Sequence, residues 1–388
     1  MTSRPFRITT PAEDATLEAM FKAVRAGDAE GVRAMVKDTP SLVTAYAPNQ
    51  WCCRETPLNA AAESGLLEMA KLLLDLGADP NQASAWWAGG FRPLHVVPVD
   101  REDLIDLLIE QGAVVDVHAA ARLGRLEDLT ALLDHDPFLL HKPGGDGARP
   151  LHFARNETVA CLLMDRGALL ELPDVDHGST AAQWAVGDRP SVSRAILDRG
   201  AKADVFMLAA LGDADRLGAW LEEHPGDAGR YLTREDFPSP GSAGGHIYAY
   251  SLAGYGSTVL HTAAKFGSVE AVDLLVGHGA DVAARGGYDD QTALHVAAAS
   301  DRDEAVRALA GHGAELDALS GPEHRTPPLV WAIVFGAARS ARALVELGAT
   351  VDESVRSCAE AGVRGEYRRF SKAPEESWTT ILEVLPAP

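Results

Sequence analysis

Thr258-Val259-Leu260-His261 is followed one unit later by Thr292-Ala293-Leu294-His295. Variants of the same phrase stand at Thr56-Pro57-Leu58-Asn59, Arg92-Pro93-Leu94-His95 and Arg149-Pro150-Leu151-His152. Each phrase opens a unit of about thirty-three residues. The unit continues as a small-residue helix, a Gly turn, a second apolar helix and a Gly-Ala-Asp type exit. Ala60-Ala61-Ala62-Glu63-Ser64-Gly65, Lys71-Leu72-Leu73-Leu74 and Gly77-Ala78-Asp79 show the full series. Self-similarity at this period means stacked supersecondary units.

The phrase has a physical reading. A Thr side chain before the helix accepts from orphan backbone N–H groups, Pro fits the first turn where its missing N–H is not needed, and Leu plugs the core between units. Ala pairs such as Ala263-Ala264 and Ala297-Ala298 let consecutive first helices approach closely. The second helix carries the bulky stripe, for example Val272, Leu274 and Leu275. No unit can bury its apolar face alone, so stacking makes the core.

On these residues the chain resembles the ankyrin-repeat family over nearly its whole length. The resemblance implies an all-α ankyrin-repeat solenoid of about ten to eleven helix-turn-helix units with finger loops or hairpins and degenerate caps. It also implies that the repeat-opening His bonds neighbouring backbone and ties one repeat to the next. The expected organisation is a single array over 1–388. It has an N-terminal cap repeat at 15–55 with Phe21 at the His position, repeats over 56–225, a long insert at 226–257, repeats over 258–350 and a C-terminal cap at 351–388. At Gly112 to Gly124 and Gly200 to Gly212 the exit of one unit runs straight into the helix of the next, leaving no room for a finger.

Composition agrees with a folded array. The 388 residues are 46% hydrophobic, and the net charge of −21 is spread along the length. That disfavours nucleic acid and anionic membranes and favours a basic partner. No signal peptide or apolar span of membrane length is readable, and four Cys in so long a chain do not make a disulfide framework. A cytoplasmic protein with reduced thiols is expected, and residue usage suggests a bacterial source.

The insert at 226–257 holds Tyr248, Tyr250 and Tyr255, and Ile247, Ala249 and Ser251 alternate with the first two tyrosines. Period two predicts a strand or extended hairpin there. A loop so long within an array is usually functional or disordered, and its aromatic content argues for order.

Histidine is the first place to look for chemistry. His95, His118, His152, His261 and His295 occupy the repeat-opening position and read as structural. His135, His224, His278 and His312 lie at helix ends, where charge complements the dipole. His141, His177, His246 and His324 remain in fingers of different repeats, so a metal site would need those fingers to converge. None has close metal-motif spacing, and no metal or cofactor is expected. Asp174 and Asp176 beside His177, and Asp289-Asp290, read first as turn chemistry. Gly-x-Ser-x-Gly, Walker A and dinucleotide fingerprints are absent.

Aromatics are the more informative group. Trp51, Trp86, Trp87, Phe91, Tyr248, Tyr250, Tyr255 and Tyr288 all stand in fingers or in the insert, where they suit partner-binding anchors. The leading expectation is an interaction module holding a protein or peptide in a concave groove. The alternative is an enzyme or small-molecule binder closed by the 226–257 insert, with His246, Tyr248, Tyr250, Asp176 and His177 as its polar residues.

Overall fold

A computed structural model describes residues 11–48, 54–236, 248, 251–368 and 370–386. They are all-α: apart from two isolated bridges, Tyr231 with Thr258 and Gly286 with Gln291, the regular elements among the described residues are helices. The chain forms two compact units, parting between Ala182 and Gln183 within the short helix Ala181–Ala185.

The first unit repeats a helix pair: Pro11–Ala26 with Ala29–Asp38, Pro57–Glu63 with Leu67–Asp75, Pro93–Val96 with Glu102–Glu110, and Val117–Leu123 with Leu126–His135. A last pair joins the 3-10 turn Pro150–Phe153 to Glu157–Asp165. The second unit continues the pattern through Val205–Leu211 with Ala214–Glu223, Val259–Phe266 with Val269–Gly277, and Ala293–Ala299 with Asp303–Gly311. It then runs through Pro328–Phe335 with Ala338–Leu347 and closes with Glu353–Val363 and Glu376–Val384.

Local chemistry sets these lengths. Thr56 accepts from the Asn59 N–H at 3.1 Å, and Pro57 starts the helix. Helix Pro93–Val96 stops after four residues because Val97 precedes Pro98 and takes ψ 136°, as the proline ring requires. Gly267 ends Val259–Phe266 at φ 80°, a left-handed turn into the second helix that a Cβ would strain. The fused units share one device. The acidic residue at the exit of one unit becomes the N-cap of the next: Asp116 accepts from His118 and Ala119, Asp204 from Met207, and Asp352 from Val355.

The core is what the repeat phrase dictates. Leu58, Leu94, Leu151, Leu260 and Leu294 are buried, with Ala263, Ala264, Ala297 and Ala298 at the close helix contacts. Phe21, at the His position of the first pair, is fully buried in an apolar seat. At the far end Trp378 is buried against Gly336 and Gly362 and gives its indole N–H to the Ile333 carbonyl at 2.7 Å. A Cβ on Gly362 would stand 2.0 Å from the Trp378 ring, so glycine is required there.

The repeat-opening histidines are bolts between repeats. The backbone N–H of the preceding cap residue donates to Nδ1 of His95, His152, His261 and His295. Their Nε2 meets the next repeat: Asp116 Oδ1 at 2.9 Å, the Ser179 carbonyl at 3.1 Å, the Gln291 carbonyl at 3.0 Å and the Thr326 carbonyl at 3.1 Å. His118 reaches the Lys142 carbonyl at 2.9 Å. A ring that accepts at Nδ1 and faces a carbonyl at Nε2 is neutral, with its proton on Nε2. Asn59 does the same work with a shorter side chain, giving Nδ2–H to the Phe91 carbonyl.

One expectation is corrected. Tyr248 and Ser251 are helical, with the Leu252 N–H donating to the Tyr248 carbonyl at 3.1 Å, so the period-two strand does not hold there. The Lys265 ammonium donates to the Ser251 and Leu252 carbonyls and stabilises the end of that turn. His246 and Tyr250 lie outside the described residues.

Replacing His261 or His295 by Ala is expected to lower stability by about 1–3 kcal/mol in urea unfolding, the scale of a lost buried hydrogen bond. His→Asn, copying Asn59, should cost less. Equal losses for Ala and Asn would refute the bridging role. Stability should also depend on pH in a defined direction. Burial pushes His118, His152 and His295 down to about 4. Between that value and the ordinary histidine range near 6.5 the unfolded chain binds more protons, so stability rises with pH there. The melting temperature of the parent chain, taken relative to that of a chain with these three histidines replaced by Asn, should therefore be level above about pH 6.5 and fall as pH drops toward 4.

Candidate functional site

The second unit holds a cavity of about 490 Å³ lined by Tyr288, His324, Thr326, Val330, Trp331, Val334, Phe335, Tyr367 and Phe370. Two fingers, one first helix and the turn after Glu353–Val363 build it. Gly286 and Gln291 exchange backbone hydrogen bonds at 2.8 Å and close the first finger, leaving Tyr288 at its tip, 79% exposed. The next finger is closed by Ser320 N–H to the Thr326 carbonyl at 3.0 Å. Asp289 welds the two together. Its buried Oδ2 accepts from Ser320 Oγ at 2.8 Å and from His324 Nδ1 at 3.0 Å, and its carbonyl accepts from Gly321 N–H at 2.6 Å.

Helix Pro328–Phe335 supplies the wall. Trp331 and Phe335, one turn apart, stack at 5.9 Å with planes 9° apart, and His324 meets the Trp331 ring edge-on at 5.8 Å. The Trp331 Nε1 is buried with no hydrogen-bond partner among the described residues. Tyr367 and the exposed Phe370 close the far side. Burial and its hydrogen bond to Cys358 Sγ at 3.0 Å hold the Tyr367 phenol well above its ordinary range; burial likewise pushes up the Cys358 thiol, which makes it a poor nucleophile. The cavity offers large apolar faces and one imidazole oriented by a carboxylate.

The first unit brings together residues from three successive fingers. Trp86 gives its Nε1–H to Asp176 Oδ2 at 2.9 Å. Asp174 builds the turn, accepting from the His177 N–H at 2.5 Å and the Ser179 N–H at 2.9 Å. The His177 ring lies between Asp174, Asp146 and Asp176 at 3.6, 3.9 and 3.8 Å. Burial drives the Asp146 carboxyl up; for His177 burial pulls down, yet the hydrogen bond with Asp174 and the charges of Asp146, Asp174 and Asp176 hold the imidazole above its ordinary range. A second acidic group, His95, Asp116 and His118, is explained by the repeat bolts. There burial raises Asp116, but the hydrogen bonds from His95 and from the Ala119 N–H hold its carboxyl well below the usual carboxylate range.

The expected site residues are thus divided. Tyr288 lies on the aromatic cavity; Trp86, Asp176 and His177 meet in the first unit. Trp87 is 48% exposed, and Phe91 packs beside Phe153, with ring centroids 6.3 Å apart, and over Gly145. Tyr255 lies under the Arg234 guanidinium at 5.1 Å. Tyr248 is fully buried and donates to Asp204 Oδ1 at 2.8 Å, bracing the N-cap of helix Val205–Leu211. Trp51, Tyr250 and His246 lie outside the described residues. Asp146, Trp331, Phe335, Tyr367 and Phe370 were not singled out. The signals were present: Asp146 sits in Gly144-Gly145-Asp146-Gly147, and Trp331 and Phe335 share the face of one helix.

Comparison with known proteins adds the following. Residues 260–354 match the family model for ankyrin repeats in three copies, and residues 53–85 match the single ankyrin-repeat model. A curated relative, the putative palmitoyltransferase ZDHHC13 of Danio rerio, is 32% identical over 151 residues, which are 34% of this chain. The chain spans 22% of that relative's length. Among solved structures, a chain of the Bd0816 predatory endopeptidase from Bdellovibrio bacteriovorus in complex with immunity protein Bd3460 is similar at 24% identity. The match covers 47% of this chain and 98% of that one, with a TM-score of 0.30.

Tyr248→Phe tests the brace at Asp204. Removing the phenol O–H leaves a buried carboxylate short of one donor, and the expected loss is about 1–3 kcal/mol in denaturant unfolding. Unchanged stability would show that the hydrogen bond carries nothing.

Proposed function

Because the chain carries ankyrin repeats, which generally serve as protein-interaction modules, we propose that it binds a protein or peptide partner and seats a bulky apolar side chain in the aromatic cavity of the second unit. The observation that carries this reading is the cavity lining: Tyr288 from a finger, Trp331 and Phe335 from a first helix, and Tyr367 and Phe370 from the turn after Glu353–Val363 offer large rigid faces. Such faces make hot spots because they bury much area with little rotamer loss.

The partner is basic in this reading. The chain carries 56 acidic against 35 basic side chains, and Asp290 and Glu323 are exposed beside the cavity residues Tyr288 and His324. A field of this sign steers cationic partners and repels nucleic acid and anionic membranes. No helix among the described residues is long and apolar enough to cross a membrane, which fits the cytoplasmic location we propose. A small-molecule function is the second reading, favoured by the cavity size, which lies in the ordinary range for ligand pockets, and by the Asp289-oriented His324 imidazole.

Panning a random peptide library on the full chain should enrich peptides with one bulky apolar residue flanked by Lys or Arg. Tyr288→Ala, at an exposed fingertip, should weaken the selected peptides by at least about tenfold, the effect of a hot-spot truncation of about 1.4 kcal/mol or more. Binding should also weaken as salt is raised. Peptides bound equally well by Tyr288→Ala and Trp331→Ala proteins would move the site elsewhere.

A further inference from the structure

The repeat architecture explains the bolted histidines and the turn-building Asp174, but it leaves Asp146 unexplained. The main chain of Asp146 is committed to both neighbouring fingers. Its N–H donates to the Gly89 carbonyl at 3.1 Å, and its carbonyl accepts from Val175 at 2.9 Å and Asp176 at 3.1 Å. These bonds hold it at φ 56°, a conformation that Asp and Asn tolerate better than most residues. The side chain is thereby carried inward. Only 7% of the residue is exposed, and its Oδ1 is buried with no hydrogen-bond partner among the described residues. A buried carboxylate oxygen without a partner is costly, and such a residue persists where something else completes it.

What surrounds it is a donor set. One ligand atom each from Asp146, Asp176 and His177 lie within 4.8 Å of one another. We propose that these three residues form a binding site for a first-row divalent cation, with two carboxylates and one imidazole as ligands from adjacent fingers. The class of ion follows from the donors. Calcium and magnesium prefer all-oxygen sets, whereas a mixture of imidazole and carboxylate suits Zn²⁺, Mn²⁺ or Fe²⁺. Asp176 also has the outer partner typical of a metal ligand, since Trp86 Nε1–H fixes its Oδ2 at 2.9 Å. Asp174 is a positioning residue: both its oxygens accept from the backbone of the same finger and shape the turn that presents Asp176 and His177. The donor atoms stand farther apart than bonds of about 2.0–2.1 Å to one ion require. Occupation therefore draws the two fingers together, and the ion stabilises the first unit by binding the folded chain alone. The site is independent of the aromatic cavity and of the partner proposed for it.

The test uses the full chain stripped with EDTA and titrated with ZnCl₂ or MnCl₂ by calorimetry and thermal melting. The expected result is one ion per chain, a rise in melting temperature on saturation, and visible absorption bands with Co²⁺. Asp146→Asn should give two opposite effects. It removes a buried charge, so the ion-free melting temperature stays level or rises, while ion affinity falls at least tenfold and the ion-induced rise disappears. His177→Gln should also lose affinity at least tenfold, and it decides the matter should Asp146→Asn fail to fold. His324→Gln, in the second unit, should bind the ion like the parent chain. No binding by the parent chain, or binding that survives both Asp146→Asn and His177→Gln, overturns the proposal.

Discussion

The neutral imidazole that opens a repeat is the interaction on which the rest depends. Its Nδ1 accepts from the backbone at the start of its own first helix, and its Nε2–H reaches a carbonyl or carboxylate of the next repeat. Packing of Leu and Ala faces drives the stacking, but apolar contact is non-directional and tolerates sliding. The imidazole is directional at both ends, so it sets register. Burial makes it stiff as well as exact in placement, because an unpaired ring nitrogen or carbonyl in that position would cost more than the bond contributes.

The bolt also explains where the unusual chemistry sits. His152 grips Ser179, two residues after His177, so the finger carrying Asp174, Asp176 and His177 is pinned at its end. His261 grips Gln291 beside Tyr288 and Asp289, and His295 grips Thr326 beside Ser320 and His324. The fingers bearing candidate site residues are held this way, or at Phe91 by Asn59, and then welded to a neighbour by a carboxylate or backbone contact, through Asp289 in one unit and through the main chain of Asp146 in the other. Fingers would otherwise be the most mobile part of a repeat. Anchored at the base and cross-linked at the tip, they can hold side chains to the tolerance that binding demands.

Where the array omits a finger, an acidic side chain replaces it. Asp116, Asp204 and Asp352 each close one unit and cap the next. All three acquire further partners: His95 and Arg92 at Asp116, Tyr248 at Asp204 and the neighbouring Ser354 at Asp352. The long insert thus contributes at least one structural residue. Tyr248, which sequence reasoning set among the recognition aromatics, has its hydroxyl committed to a helix cap.

By itself the sequence determined the class of fold, the helix pairs, the structural role of the five histidines and the fused units. All of these follow from local rules: caps, glycine turns, proline stops and a period that recurs at fixed spacing. Tertiary structure alone decided which finger residues meet. Asp146 and His177 belong to different repeats, as do Tyr288, Trp331 and Phe370, and no spacing within one repeat encodes how closely two fingers approach. It also decided that Tyr248 turns inward, where its hydroxyl meets an Asp204 carboxylate distant in sequence. Periodicity reports the faces of single elements; the meeting of side chains depends on loop geometry and buried hydrogen bonds, which a one-dimensional pattern does not carry.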